Sequence, residues 1–170
     1  MEKPLINRVA ASGLITIKLE TFYPEGEIVF FDLKDYLFQG LVLREKPFRA
    51  AMKAHDWQQY QDKHVCLGCS TDAIIPTWAW MLVSAYLTPV ARSVFHGSKE
   101  EFLKQWYITA LYQADHQQWA GQRIVIKGCA DKPIPEAAYV ELTRILRPIA
   151  QSIMYGEPCS TVPIYKKPRT

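Results

Sequence analysis

Two stretches decide the fold: Gly68-Cys69-Ser70-Thr71-Asp72-Ala73-Ile74-Ile75-Pro76-Thr77-Trp78-Ala79, and Gly128-Cys129-Ala130-Asp131-Lys132-Pro133-Ile134-Pro135-Glu136-Ala137-Ala138. With one residue skipped at Thr71, the second follows the first at an offset of 60 and then 59 residues. The match runs on to Gly97 and Gly156, and 11 of the 29 aligned pairs are identical. They include Cys69/Cys129, Asp72/Asp131, Pro76/Pro135, Leu87/Leu146, Ser93/Ser152 and Gly97/Gly156. Self-similarity at one spacing marks a repeated structural unit. The unit runs over about 65–97 and 124–156 and reads strand–helix–strand.

Apolar spacing supports that reading. Ala79, Val83, Tyr86 and Val90 fall on one face of a helix over Pro76 to about Thr88, and Ala138, Leu142, Ile145 and Ile149 on one over Pro135 to about Arg147. Proline suits a first helical turn, where its missing N–H would be unpaired in any case. Short apolar runs at Val65–Gly68, Ser93–His96, Ile124–Ile126 and Ser152–Tyr155 read as strands. A long amphipathic helix is expected over Lys99 to about Gln117, with Phe102, Leu103, Trp106, Ala110 and Leu111 inward. Further upstream, Leu14–Leu19 and Ile28–Phe31 read as strands and Glu45 to about Tyr60 as a helix. The stretch Tyr36–Leu43 is open between strand and helix.

Strands alternating with helices predict an α/β fold, a parallel or mixed sheet flanked by helices. At 170 residues one domain spanning 1–170 is expected. Right-handed crossovers and two equivalent units suggest that the strands at 65–68 and 124–127 are central neighbours. Cys69 and Cys129 would then face one crevice, each just before a helix N-terminus. Strand-to-helix loops at a topological switch point are where α/β proteins bind ligands.

Composition narrows the partners. A net charge of +3 is too small to argue for nucleic acid, and Lys166, Lys167 and Arg169 read as a solvated tail. No apolar run approaches the ~20 residues of a membrane span, and no signal-peptide core follows Met1. A cytoplasmic setting, with thiols kept reduced, is the expectation; a homo-oligomer is compatible with it. No glycine-rich phosphate loop is present, which argues against a nucleotide cofactor.

The four cysteines then carry the chemistry. Cys66 aligns with Ile126 inside a strand and reads as a core thiol, which discounts Cys66-x-x-Cys69 as a motif. A helix N-terminus favours the thiolate at Cys69 and Cys129. Cys159 follows Gly156 in a proline-bounded loop, within reach of the Cys129 loop. Cys69, Cys129 and Cys159 with Asp72, Asp131 or Glu157 would suit Zn or an iron–sulfur cluster. His96 and its match Tyr155, like Trp80 and its match Tyr139, read as packing residues.

The strings Cys69 to Ala79, Lys127 to Asp131 and Ser152 to Pro163, with Asn7-Arg8-Val9 and Asp32-Leu33-Lys34, resemble a bacterial family known as a domain of unknown function (DUF 2480). The resemblance covers nearly the whole chain. It implies no catalytic residue, but it implies a setting among iron–sulfur assembly proteins as partners. Three functions stay open: a metal-binding or iron–sulfur-related accessory protein, a thiolate-dependent enzyme, and a non-catalytic binding module with structural cysteines.

Overall fold

The computed structural model describes residues 13–128, 130–157 and 159–168. Among them the chain forms seven strands and four α-helices. It divides into two compact units. A continuous unit runs from Glu25 to Phe102; a split unit takes the residues up to Pro24 and those from Leu103 onward.

The continuous unit holds β2 (Ile28–Asp32), α1 (Glu45–Ala54), β3 (His64–Gly68), α2 (Thr77–Leu87) and β4 (Ser93–His96). Its sheet is wholly parallel, in the order β2-β3-β4. The split unit holds β1 (Leu14–Ile17), β5 (Arg123–Ile126), α4 (Glu136–Leu146), β6 (Ser152–Glu157) and β7 (Ser160–Lys166). There β1, β5 and β6 are parallel and β7 closes the sheet antiparallel to β6, in the order β1-β5-β6-β7. Helix α3 (Lys99–Gln113) begins at the end of the continuous unit. The fold class is therefore α/β, with one parallel and one mixed sheet.

The expected strand order is overturned. Strand β3 lies between β2 and β4, and β5 between β1 and β6, so the two are in different sheets. The repeat covers only one strand pair in each unit, and both pairs, β3–β4 and β5–β6, are adjacent and parallel. It says nothing about what pairs on the other edge of β3 and β5. Those edges are taken by β2 and β1, strands from the N-terminal third. Cys69 and Cys129 thus do not follow neighbouring strands. The proline-bounded loop after Tyr155 is also corrected: Ser160–Lys166 is a strand. Pro163 is tolerated there because β7 is an edge strand, where a missing N–H need not break a ladder.

Within each unit the same local bonds recur. Pro76 and Pro135 precede their helices in extended backbone, and their carbonyls accept from the N–H of Ala79 and Ala138, both at 2.9 Å. At the far ends, Ala91 and Ala150 donate to the carbonyls of Leu87 and Leu146, both at 2.8 Å. Ala79, Val83 and Leu87 are fully buried, as are Ala138, Leu142 and Leu146. The likeness extends upstream, beyond the stretch the sequence comparison covered. Asp56 and Asp115 each cap a 3-10 turn, Trp57–Tyr60 and His116–Trp119, through the N–H of Gln58 and Gln117. Trp57 Nε1 and His116 Nε2 donate to the carbonyls of Met52 and Leu111 at 2.8 and 2.7 Å. These turns end what the sequence suggested were longer helices at Tyr60 and Gln117.

The cores differ in polarity at two places. In the split unit, Tyr107 of α3 is fully buried, and among the described residues nothing hydrogen-bonds its hydroxyl. Burial pushes its phenol far above the ordinary range. In the continuous unit, His64 is buried on β3. Its Nε2 donates to the Glu25 carbonyl at 2.9 Å, so its Nδ1 accepts from Ser93 Oγ at 2.7 Å. Burial holds its pKa below the ordinary value, with Arg92 adding to the shift and the Glu25 carbonyl opposing it.

Substitution tests both polar core groups. Tyr107→Phe removes a hydroxyl whose desolvation costs about 1–2 kcal/mol when unpaired, so the variant is expected to equal or exceed the wild type in urea unfolding. A clear loss of stability would mean that the hydroxyl has a partner. A histidine whose folded pKa is depressed contributes stability that is full above the unfolded value of about 6.5 and lost as pH falls below it. Urea unfolding at pH 7.5 and 5.5 is expected to show that loss in the wild type and a smaller one in His64→Gln. An equal loss in both would refute the assignment.

Candidate functional site

Parallel strands end together, and the backbone donors just past the ladder need new partners. In the continuous unit the end of β3 is Gly68, followed by Cys69 and Ser70. The Ser70 N–H donates to Asp32 Oδ1 at 3.0 Å, and the same oxygen accepts from the Lys34 N–H at 3.0 Å. Burial by itself would raise the Asp32 pKa, but the hydrogen bonds from Ser70 and Lys34 and the Lys34 ammonium, 3.6 Å away, together outweigh it and hold the carboxyl below its ordinary value. The end of β4 is His96, and the Gly97 N–H donates to the Leu67 carbonyl at 2.9 Å. Gly97 has φ +139°, which disfavours other residues, and a Cβ there would meet Glu101 Oε2 at 2.7 Å.

Next comes a capping box. Ser98 Oγ accepts from the Glu101 N–H at 3.1 Å, and Glu101 Oε2 accepts from the Ser98 N–H at 2.7 Å. The pattern Ser98-x-x-Glu101 was visible in the sequence and would have drawn attention to this helix start.

Between these strand ends lies a crevice of about 670 Å³. Cys69, Asp72, His96 and Glu101 supply most of its chemistry, over the rings of Phe30 and Trp80. The Phe30 ring fills the space where any side chain at Gly68 would stand. Trp80 and His96 meet edge to face at 4.7 Å. The Cys69 thiol is half-buried, with Sγ 3.4 Å from Thr71 Oγ1. Of the residues suggested from sequence, the structure brings Cys69 and Asp72 to this crevice. His96 and Trp80, read as packing, line it as well, and Ser98 and Glu101 were missed.

The matching strand ends of the split unit are built differently. The Asp131 N–H donates to Glu20 Oε2 at 3.3 Å, as Ser70 does to Asp32, and Lys127 Nζ lies 3.8 Å from Glu20. Asp131 is exposed, and Glu157 ends β6 opposite Ser160. Cys159 is exposed at the turn between β6 and β7. Cys129 lies outside the described residues. Tyr139 and Tyr155 meet edge to face at 5.9 Å, in the places of Trp80 and His96. They border a cavity of about 590 Å³ that also touches Ile126, Val140 and Ile164.

Cys66 sits fully buried in β3, and burial pushes its thiol up to about 11. Cys66, Cys69 and Cys159 are all free thiols. Among the described residues no three His, Cys, Asp or Glu side chains are grouped to hold a metal ion. No helix among them is long and apolar enough to cross a membrane.

Fold and crevice together define an α/β protein with an open cleft at the C-terminal ends of parallel strands. The chain belongs to the family described as "Protein of unknown function (DUF2480)", whose model matches residues 3–167. No curated protein and no solved structure matches it.

The thiols give a direct check. Brief treatment of the native protein with iodoacetamide is expected to label Cys69 and Cys159 and to leave Cys66 unmodified until the protein is unfolded, as peptide mass spectrometry would read. Rapid labelling of Cys66 in the native state would contradict its burial.

Proposed function

We propose that this chain is a binding module whose site is the crevice at the ends of β3 and β4, with a small molecule as its ligand. One observation carries the reading: about 670 Å³ of open space at the C-terminal end of a parallel sheet, where polar side chains converge over aromatic walls. Both its size and its position suit a small-molecule site. The matched hydrogen bonds of the two units support reading them as copies of one duplicated strand–helix–strand element. Reduced thiols fit a cytoplasmic setting.

The test is a fragment library titrated onto ¹⁵N-labelled protein. Binding fragments are expected to shift the amides of residues 68–73 and 96–101. Ala73→Phe, which puts a ring into the crevice, is expected to abolish those shifts while leaving the melting temperature within a few degrees. Fragments that cluster elsewhere, or that ignore Ala73→Phe, would overturn the reading.

A second reading keeps the cysteines as ligands for Zn or an iron–sulfur cluster, in an accessory to iron–sulfur assembly proteins. It is favoured by the place of Cys159, exposed at the β6–β7 turn next to the strand end from which the Cys129 loop leaves. Protein purified without oxygen should then carry one equivalent of zinc or stoichiometric iron and sulfide, lost in Cys159→Ser. Metal far below one equivalent, or unchanged in that variant, would end this reading.

A further inference from the structure

We infer that the crevice at the ends of β3 and β4 recognises a small organic cation: an amine or guanidinium compound with an apolar body. This rests on the binding reading above and adds the ligand's charge. The argument is an accounting of donors and acceptors. An anionic ligand at a strand end is usually held by free backbone N–H groups and a helix N-terminus. Here three of those donors are already used. The Ser70 N–H is held by Asp32, the Gly97 N–H by the Leu67 carbonyl, and the Ser98 N–H, at the start of α3, by the carboxylate of Glu101. At these three amides an anion would have to displace a carboxylate or a carbonyl of the chain itself.

What the crevice offers instead is negative charge and acceptors. Asp72 and Glu101 line it, and among the described residues no lysine or arginine does. Among the described residues neither carboxylate takes part in an ion pair. The hydroxyls of Ser70 and Thr71 add acceptors beside them. Phe30 and Trp80 supply aromatic walls, and aromatic rings attract cations. Such walls and a volume of about 670 Å³ suit an organic molecule. A bare metal ion would need several ligands on one point, and no such group of three is present among the described residues.

Three probes sharing a phenyl ring and a short alkyl chain separate charge from shape: 2-phenylethylamine, 2-phenylethanol and 3-phenylpropionate. Each is titrated onto the ¹⁵N-labelled full-length protein at low salt. The amine is expected to shift amides of residues 68–73 and 96–101, the alcohol to bind there about tenfold more weakly, and the carboxylate not to bind there. Asp72→Asn and Glu101→Gln are each expected to weaken the amine about tenfold. Glutamine keeps an acceptor for the Ser98 N–H, and thermal melting checks that both variants are folded. If the alcohol or the carboxylate fills the crevice as tightly as the amine, the charge assignment falls while the binding reading stands. If the amine leaves those amides unmoved, or binds both folded variants as well as the wild type, the proposal is overturned, and the fragment titration with Ala73→Phe decides the binding reading separately.

Discussion

A central parallel strand must be hydrogen-bonded on both edges and covered on both faces, and the rest of each unit follows from meeting that demand. Val65, Cys66 and Leu67 of β3 and Ile124, Val125 and Ile126 of β5 are all 5% exposed or less. Such strands read as unbroken apolar runs, and a cysteine within one, Cys66, is a small hydrophobe before it is a thiol. The demand ends abruptly where the strands end. There an acidic residue at or just past the end of the preceding edge strand reaches across: Asp32 takes the Ser70 N–H and Glu20 takes the Asp131 N–H. The same device that anchors each loop also occupies one of its donors. An acceptor-rich strand end is thus a by-product of finishing a parallel ladder with carboxylates.

The helix stripes and the two strand–helix–strand units could be read from the sequence because they rest on local spacing. Ala79, Val83 and Leu87 repeat at helical intervals against β3, and Ala138, Leu142 and Leu146 do so against β5. The assignment of strands to sheets could not be read in the same way. Pairing of β2 with β3 and of β1 with β5 is made by main-chain bonds, which leave no side-chain signature. Apolar runs such as Ile28–Asp32 would fit beside either centre. Strand β7 was hidden by Pro163, whose ring argues against a central strand but not against an edge. The aspartate-capped turns at 56–60 and 115–119 were hidden because three of their shared residues, Asp, Gln and Gln, are polar and leave no apolar spacing; the shared aromatics, Tyr60 and Trp119, pack on the cores.

The candidate site was half visible for a related reason. Cys69 and Asp72 stood out because their matches, Cys129 and Asp131, are identical residues. Matching identity, however, marks what two units share, and the crevice owes its character to what they do not share. Ser98 and Glu101 lie past the last matched glycine, at the start of α3, where no partner exists to draw attention to them. The expectation of one crevice between two thiols depended on β3 and β5 being neighbours. With those strands in separate sheets, Cys69 is a wall residue beside Thr71 and Asp72.

One glycine position shows how the two strand ends differ. Gly97 and Gly156 both have positive φ, +139° and +122°, and both come directly after an aromatic residue packed edge to face on the helix before it. After Gly97 the chain enters α3 at once, and the capping box that starts the helix sets Glu101 and Ser98 into the crevice wall. After Gly156 the chain continues for one more residue of β6 and folds back as β7. That strand pairs Val162 opposite Tyr155 and brings Ile164 to the neighbouring cavity. An aromatic pair stands in both places, Trp80 with His96 and Tyr139 with Tyr155, while the element after the glycine adds Ser98 and Glu101 to one cavity and Ile164 to the other, whose acidic residue, Glu136, comes from α4. A helix start needs a carboxylate or hydroxyl to satisfy its first amides, whereas a strand partner satisfies amides with its own backbone and leaves its side chains free to be apolar. Helix or strand after the glycine therefore sets the polarity of that one wall.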